Sequence, residues 1–173
     1  PYMAISILYF SQVSGSYALG FAVLSVAAIA SSLFEIPTGI FSDRVGRRKT
    51  VIFASMAWFL SIGTYALANS FAILVIGAIF SGLGQALISG NNNALLHDSL
   101  KEQNNEHDFP EKLGKVYAVM EVGFAVSTLL AGFIALHSLK AVMVASVLPQ
   151  LVCIFIALQL VEPKIHTETI LKA

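Results

Sequence analysis

The chain has 173 residues, of which 57% are apolar and only 12% charged, and its ten basic and ten acidic side chains leave no net charge. Soluble domains carry about 25% charged residues, so this composition, with a mean hydropathy of +0.79, excludes an ordinary soluble domain and gives no reason to expect nucleic acid as a partner. The single cysteine, Cys153, excludes an internal disulfide.

A membrane-spanning helix needs roughly 20 apolar residues, and the apolar runs divide the chain into five full spans and one partial one. The partial span is 1–13, too short to cross. It opens inside an apolar stretch with no polar flank, so the chain reads as beginning within a helix. No basic region precedes it, and it does not read as a cleavable leader. The full spans are expected at 17–41, 50–68, 71–96, 113–136 and 140–161, with a polar stretch from His97 to Lys112 and a polar tail, 162–173, that reads as the start of a longer loop. Asn69-Ser70 and His137-Ser138 are tight turns whose polar side chains can cap the next helix. Asp108, followed by Pro110 and Glu111, marks a helix start ahead of the fifth span. Pro37 and Pro149 lie inside spans, where they are expected to kink the helices.

Lysine and arginine placement gives the orientation. Arg44, Arg47, Arg48 and Lys49 share one connector, Lys101, Lys112 and Lys115 lie in or beside a second on the same side, and Lys164 and Lys172 are in the tail, whereas the opposite side holds Lys140 alone. The basic connector, the long polar stretch and both ends of the six-span unit are therefore expected in the cytoplasm, with the protein in the cell membrane.

The most specific motif is Gly39-Ile-Phe-Ser-Asp-Arg-Val-Gly-Arg-Arg-Lys49, a short basic hairpin between the second and third spans. Gly39 permits close approach of a neighbouring backbone. Asp43 sits where a helix leaves the membrane, and Gly46 allows a tight reversal with positive φ. Arg47, Arg48 and Lys49 can bind acidic groups or anionic lipid heads. A positive-inside anchor needs basic residues but neither the aspartate nor the glycines. In its residue types and spacing, Gly39, Asp43, Arg44, Gly46, Arg47 and Arg48, the hairpin resembles the loop after the second helix of major facilitator superfamily (MFS) transporters.

That resemblance extends over nearly the whole chain and implies an all-α membrane fold: six transmembrane helices as two inverted three-helix repeats, the first helix truncated, forming the N-terminal half of a twelve-helix transporter. It implies a secondary active transporter working by alternating access, with substrate bound between the halves and a missing C-terminal six-helix half as partner. The first and fourth helices would line the cavity, the second and fifth would flank it and meet the other half, and the third and sixth would face lipid. The hairpin would be a conformational latch, with Asp43 facing the other half and Arg47 paired with Asp98 at the end of the fourth span. Membrane lipids and a small solute are the other expected partners, and no cofactor is implied.

Two acids lie within spans. Glu35 is six residues before Phe41, roughly 9 Å deep, and Glu121 is eight residues past Leu113, roughly 12 Å deep. Intramembrane carboxylates are costly and mark coupling or proton sites, or else structural hydrogen bonds. They fall in equivalent helices of the two repeats, on opposite sides of the expected cavity. In the fourth span Gln85, Ser89, Asn92 and Asn93 recur at helical spacing and would share one side, forming a substrate path that favours polar or amphipathic solutes, or an interhelical hydrogen-bonded seam. Gly77, Gly82, Gly84 and Gly90 read as packing positions, as does the stripe Gly123, Ser127 and Ala131 in the fifth span.

The chain departs from the family in two places. Ala78 occupies the position, four residues before Gly82, where many members carry an arginine. Ser127 to Gly132 is the best match to the glycine- and proline-containing signature of drug–proton antiporters, and it lacks the proline. His97-Asp98 and His107-Asp108 are too far apart in a polar stretch to read as a metal site, and no clustered catalytic set appears. The chain is expected not to be an enzyme. The alternative to a transporter is a non-transporting membrane sensor or assembly subunit that keeps the fold.

Overall fold

The computed structural model describes residues 2–89 and 91–162, the side chains of Tyr2 and Ala4 excepted. Gly90, Lys164, Lys172 and the expected loop from residue 163 onward lie outside the described residues. Within them all regular structure is helical and strands are absent. A 3-10 turn, Tyr2–Ile5, leads into α1 (Ser6–Ser14). There follow α2 (Tyr17–Val45), α3 (Arg47–Leu67), α4 (Phe71–Ile88), α5 (Asn91–Glu102), a 3-10 turn at Glu106–Asp108, α6 (Phe109–Ala135) and α7 (Leu139–Gln159). Five segments are long and apolar enough to cross a membrane: Tyr17–Val45, Arg47–Leu67, Phe71–Glu102, Glu106–Ala135 and Leu139–Gln159. At nine residues, α1 is too short to cross.

The helix starts follow from local capping. Ser16 accepts from Ala18 N at 3.1 Å ahead of α2, and Ser138 accepts from Ala141 N at 3.3 Å ahead of α7. Ser70 makes no such bond, and Asp108 sits in the 3-10 turn without capping α6, where Pro110 takes an early position compatible with its missing N–H. Helices α2 and α7 run through Pro37 and Pro149.

The centre of the bundle is α4, flanked by α2 and α3, with α7 against the far side of α3 and α1 against α2. Lipid tails are as apolar as leucine, so helix association in a membrane relies on close packing and interhelical hydrogen bonds rather than on apolar burial. Three glycines of α4 supply the closeness. A Cβ on Gly82 would lie 2.5 Å from Ala27 O of α2, one on Gly77 2.6 Å from the Tyr65 ring, and one on Gly84 2.6 Å from Trp58. Ser61 adds a buried hydrogen bond from α3 to Gly77 O at 2.8 Å. At the other end, Tyr9 of α1 donates to Tyr65 O at 2.7 Å, and Tyr9, Phe10, Leu74, Ala131, Val142 and Met143 form the apolar core there.

Two expectations change. The basic hairpin is not a loop: α2 continues through Asp43 and Arg44 to Val45, α3 begins at Arg47, and Gly46 is the whole connection. The fourth span is described as two helices on either side of residues 89–90, of which Gly90 lies outside the described residues. Helix α4 ends at Ile88, and α5 begins at Asn91 and carries the chain on to Glu102, six residues into the stretch expected as loop.

Candidate functional site: the basic junction of α2 and α3

Gly46 adopts φ +105°, a conformation side chains resist, so a single residue reverses the chain. The reversal puts Arg47, Arg48 and Lys49 in the first turn of α3, where unpaired N–H groups and the helix dipole already make the site electropositive. Three cations there are unfavourable unless anions answer them. Glu162, just past α7, does so: its carboxylate accepts from Arg47 N at 2.7 Å and Arg48 N at 2.8 Å. The fit is tight, since a Cβ on Gly46 would come within 3.0 Å of that carboxylate. Glycine is thus required at 46 both by its φ and by the packed carboxylate.

The side chains spread outward from this cap. Arg47 Nε donates to Asp98 Oδ2 of α5 at 3.0 Å, with both side chains 20% exposed. Arg48 Nη2 donates to Leu158 O of α7 at 2.8 Å, and its Nε is buried with no partner among the described residues. Beneath them lies Asn91, 3% exposed, the first residue of α5. Its Oδ1 accepts from Ser42 Oγ at 2.7 Å and its Nδ2 donates to Arg47 O at 3.1 Å. The junction is therefore tied to α5 by an ion pair and an amide, and to the end of α7 by a helix cap.

Asp43 and Arg44 stand apart from this network. Both are exposed, and no hydrogen bond or ion pair joins them to another of the described residues. Asp43 borders a cleft of about 250 Å³ with Gly39, Ser42, Arg47, Ser89 and Asn91. Gly39 was expected to permit a close helix contact, but a Cβ there would meet nothing within 4 Å. Among the described residues no helix approaches Gly39 closely.

The other candidate residues are dispersed. Glu35 accepts from Ser89 Oγ at 3.2 Å, which links α2 to the end of α4. Glu121 is exposed on α6, away from that pair. Of the stripe Gln85, Ser89, Asn92 and Asn93, Gln85 lies on α4, Ser89 just past its end, and Asn92 and Asn93 on α5. Gln85 borders a groove of about 360 Å³ with Ser31, Ser32 and Ser81, Ser89 meets Glu35, and Asn92 and Asn93 line a separate groove of about 390 Å³ with Leu113 and Leu160. Among the described residues no group of three or more metal-ligating side chains gathers.

Sequence reasoning missed Asn91 and Glu162. The signal for Asn91 was present in the run Gly-Asn-Asn-Asn, a natural helix-start sequence, but the neighbouring Asn92 and Asn93 were preferred for their spacing. Glu162 carries no local signal, since it meets α3 from more than 110 residues away in the chain.

The apolar helices, with large hydrophobic side chains such as Leu33, Ile36, Phe133 and Leu148 facing outward, define a multi-pass helical membrane protein. Its residues 2–172 match the Major Facilitator Superfamily, and the chain belongs to that superfamily, a family of transporters rather than enzymes. It is 33% identical over 115 residues to an uncharacterised transporter of Buchnera aphidicola subsp. Schizaphis graminum, a match covering 66% of this chain and 27% of the relative. It is 32% identical over 76 residues to the hexuronate transporter of Bacillus subtilis, covering 44% of this chain and 18% of that protein. The matches thus span about a quarter or less of these relatives' length. No solved structure matches the chain significantly.

Proposed function

We propose that the chain is the N-terminal half of a secondary active transporter that moves a small solute across the cell membrane by alternating access, with the α2–α3 junction as its conformational latch. The observation that carries this reading is the division of labour at the junction. Gly46, Arg47, Arg48 and Asp98 are engaged within the chain, whereas Asp43 and Arg44, with Gly39 open beside them, project free of partners among the described residues. A rigid mount that presents an unpaired charge suits a contact made in one state and broken in the other. Such a contact biases a two-state equilibrium by a few kcal/mol.

Alternating access needs a second body to rock against, and α6 supports its existence. Only Ala131 of its 27 residues is buried, and the matched relatives are several times longer than their matched stretch. In this reading both ends of the half lie in the cytoplasm, and Gln85 and Ser89 border the solute path, with Asn92 and Asn93 nearer its cytoplasmic mouth. Glu35, bonded to Ser89, and Glu121 are the candidate coupling acids.

Asp43→Asn is expected to abolish transport while leaving the amount of protein in the membrane unchanged, as measured by proteoliposome flux alongside a surface-expression assay. Wild-type flux in that variant overturns the latch. Hexuronates belong in the first substrate screen because one relative carries that name. The screen should be run with and without a pH gradient. Flux indifferent to the gradient removes Glu35 and Glu121 as proton sites.

A further inference from the structure

An apolar groove lies beside the junction and shares Thr38 and Leu87 with the cleft that Asp43 borders. It measures about 510 Å³ and lies between α2 and α3, floored by α4. These two helices both pack on α4 but touch each other little, which leaves the trough open along the bundle's side. Its walls are Phe34, Pro37 and Phe41 on α2 and Phe53, Met56 and Leu60 on α3, with Phe80, Leu83 and Leu87 beneath. The lining is apolar in effect as well as in composition. Thr38, a hydroxyl among the lining residues, turns its proton back to Phe34 O at 2.7 Å. From Phe34 to Phe41, and from Leu60 to Phe53, the trough runs roughly 10 Å along the helices, ending where the Phe41 and Phe53 rings meet edge to face at 5.5 Å.

Beyond that aromatic pair the same helix faces become cationic. Arg44 follows Phe41 by three residues and Lys49 precedes Phe53 by four, so each stands on the trough-facing side of its helix, and both are exposed. Asp43, the nearest acid in sequence, does not neutralise them from the trough side. It borders the cleft with Ser42, Ser89 and Asn91 on the other face of α2.

An apolar slot some ten ångströms long that ends in two exposed cations at the membrane surface matches an anionic phospholipid, with one acyl chain in the slot and the phosphate between the cations. We propose that the α2–α3–α4 trough is a binding site for an anionic phospholipid of the leaflet on the side of the basic junction, with Arg44 and Lys49 holding the phosphate. Ordinary annular lipid would fill the trough with no preference for headgroup charge. Bound here, the lipid joins the first turn of α3 to the last turn of α2, the two elements that mount the junction.

The test uses the protein purified at its natural length in detergent. Phosphatidylglycerol and phosphatidylcholine with identical acyl chains are titrated, and bound lipid is counted by native mass spectrometry. The proposal expects one retained phosphatidylglycerol, bound at least tenfold more tightly than phosphatidylcholine. Arg44→Gln and Lys49→Gln should each weaken it roughly fivefold. Met56→Trp, at a half-exposed position on the trough wall, should expel it without altering the elution profile of the folded protein. Equal retention of the two lipids, or unchanged preference in the double glutamine variant, overturns the site. So does full competition by soluble glycerol phosphate, which would mean that the cations bind a headgroup without the trough.

Discussion

Helices α4 and α6 hold the same small residue in opposite surroundings. In α4 the glycines at 77, 82 and 84 are places where another helix presses in, so that an added Cβ would fall within 2.5 to 2.6 Å of Tyr65, Ala27 or Trp58. In α6 the glycines at 114, 123 and 132 face open space, with nothing within 4 Å of a built Cβ. Sequence treats both sets alike, as small residues at helical spacing in apolar runs. The packing glycines are set apart by what lies across the interface, which is a fact about the neighbouring helix. Among the described residues α4 is a hub, while α6 meets the core through Ala131, Ile134 and Ala135 near its end and is otherwise mostly exposed.

The sharpest way to break this comparison is the same methyl group in both places. Gly82→Ala drives a Cβ into the Ala27 carbonyl, backbone that cannot rotate away, so α2 and α4 must separate. The expected loss is about 3 kcal/mol, read as thermal unfolding in detergent. Gly123→Ala should stay within about 0.5 kcal/mol of the parent. Equal losses would show that α6 is gripped as tightly as α4 by a segment outside the described residues.

A smaller effect is expected at Asn91, the polar counterpart of those glycine contacts. Asn91→Ala removes the acceptor of the Ser42 hydroxyl and the second donor to Arg47 O inside a site only 3% exposed. Leaving a buried donor unsatisfied costs about 2 kcal/mol. The same assay on Asn92→Ala, one residue on and exposed, should show no comparable loss. If the two substitutions behave alike, Asn91 is not the pin between α2 and α5.

The legibility of this molecule follows from the range of each interaction. Hydropathy is local, so the membrane-crossing segments could be read directly. The positive φ of Gly46 could also be expected, because a reversal between two helices permits little else there. Helix limits were harder. Asp43 and Arg44 look like loop residues, yet they extend α2 because the charges sit at its end, where water can reach them. In the fourth span the helical stripe of Gln85, Ser89, Asn92 and Asn93 assumed an unbroken helix. Helix α4 ends at Ile88 and α5 begins at Asn91, and there Asn91 is buried while Asn92 and Asn93 are exposed. Glu162 was invisible for another reason: its meaning lies in the first turn of α3, and nothing near it in the chain mentions that turn.

Glu162 also allows the last and smallest test of the hub against the exposed helix, because α6 too has a carboxylate at its first turn. Glu111 lies in the first turn of α6 and pairs with Lys115 one turn on, both side chains well exposed. Its charge therefore acts through water and along a single helix, where surface ion pairs contribute little. Glu162 instead spans two helices, with one oxygen on each of two adjacent N–H groups at the start of α3, in a setting that also holds three cations. Glu162→Gln keeps the size and one acceptor but removes the charge and replaces the other acceptor with a donor facing an N–H. The expected loss is about 1 kcal/mol. It should persist at high salt, because the partners are in contact and only partly exposed. Glu111→Gln should leave the unfolding curve unchanged. A parallel response of the two variants would mean that the cap on α3 acts as an ordinary surface charge and that α7 is not fastened to the junction through it.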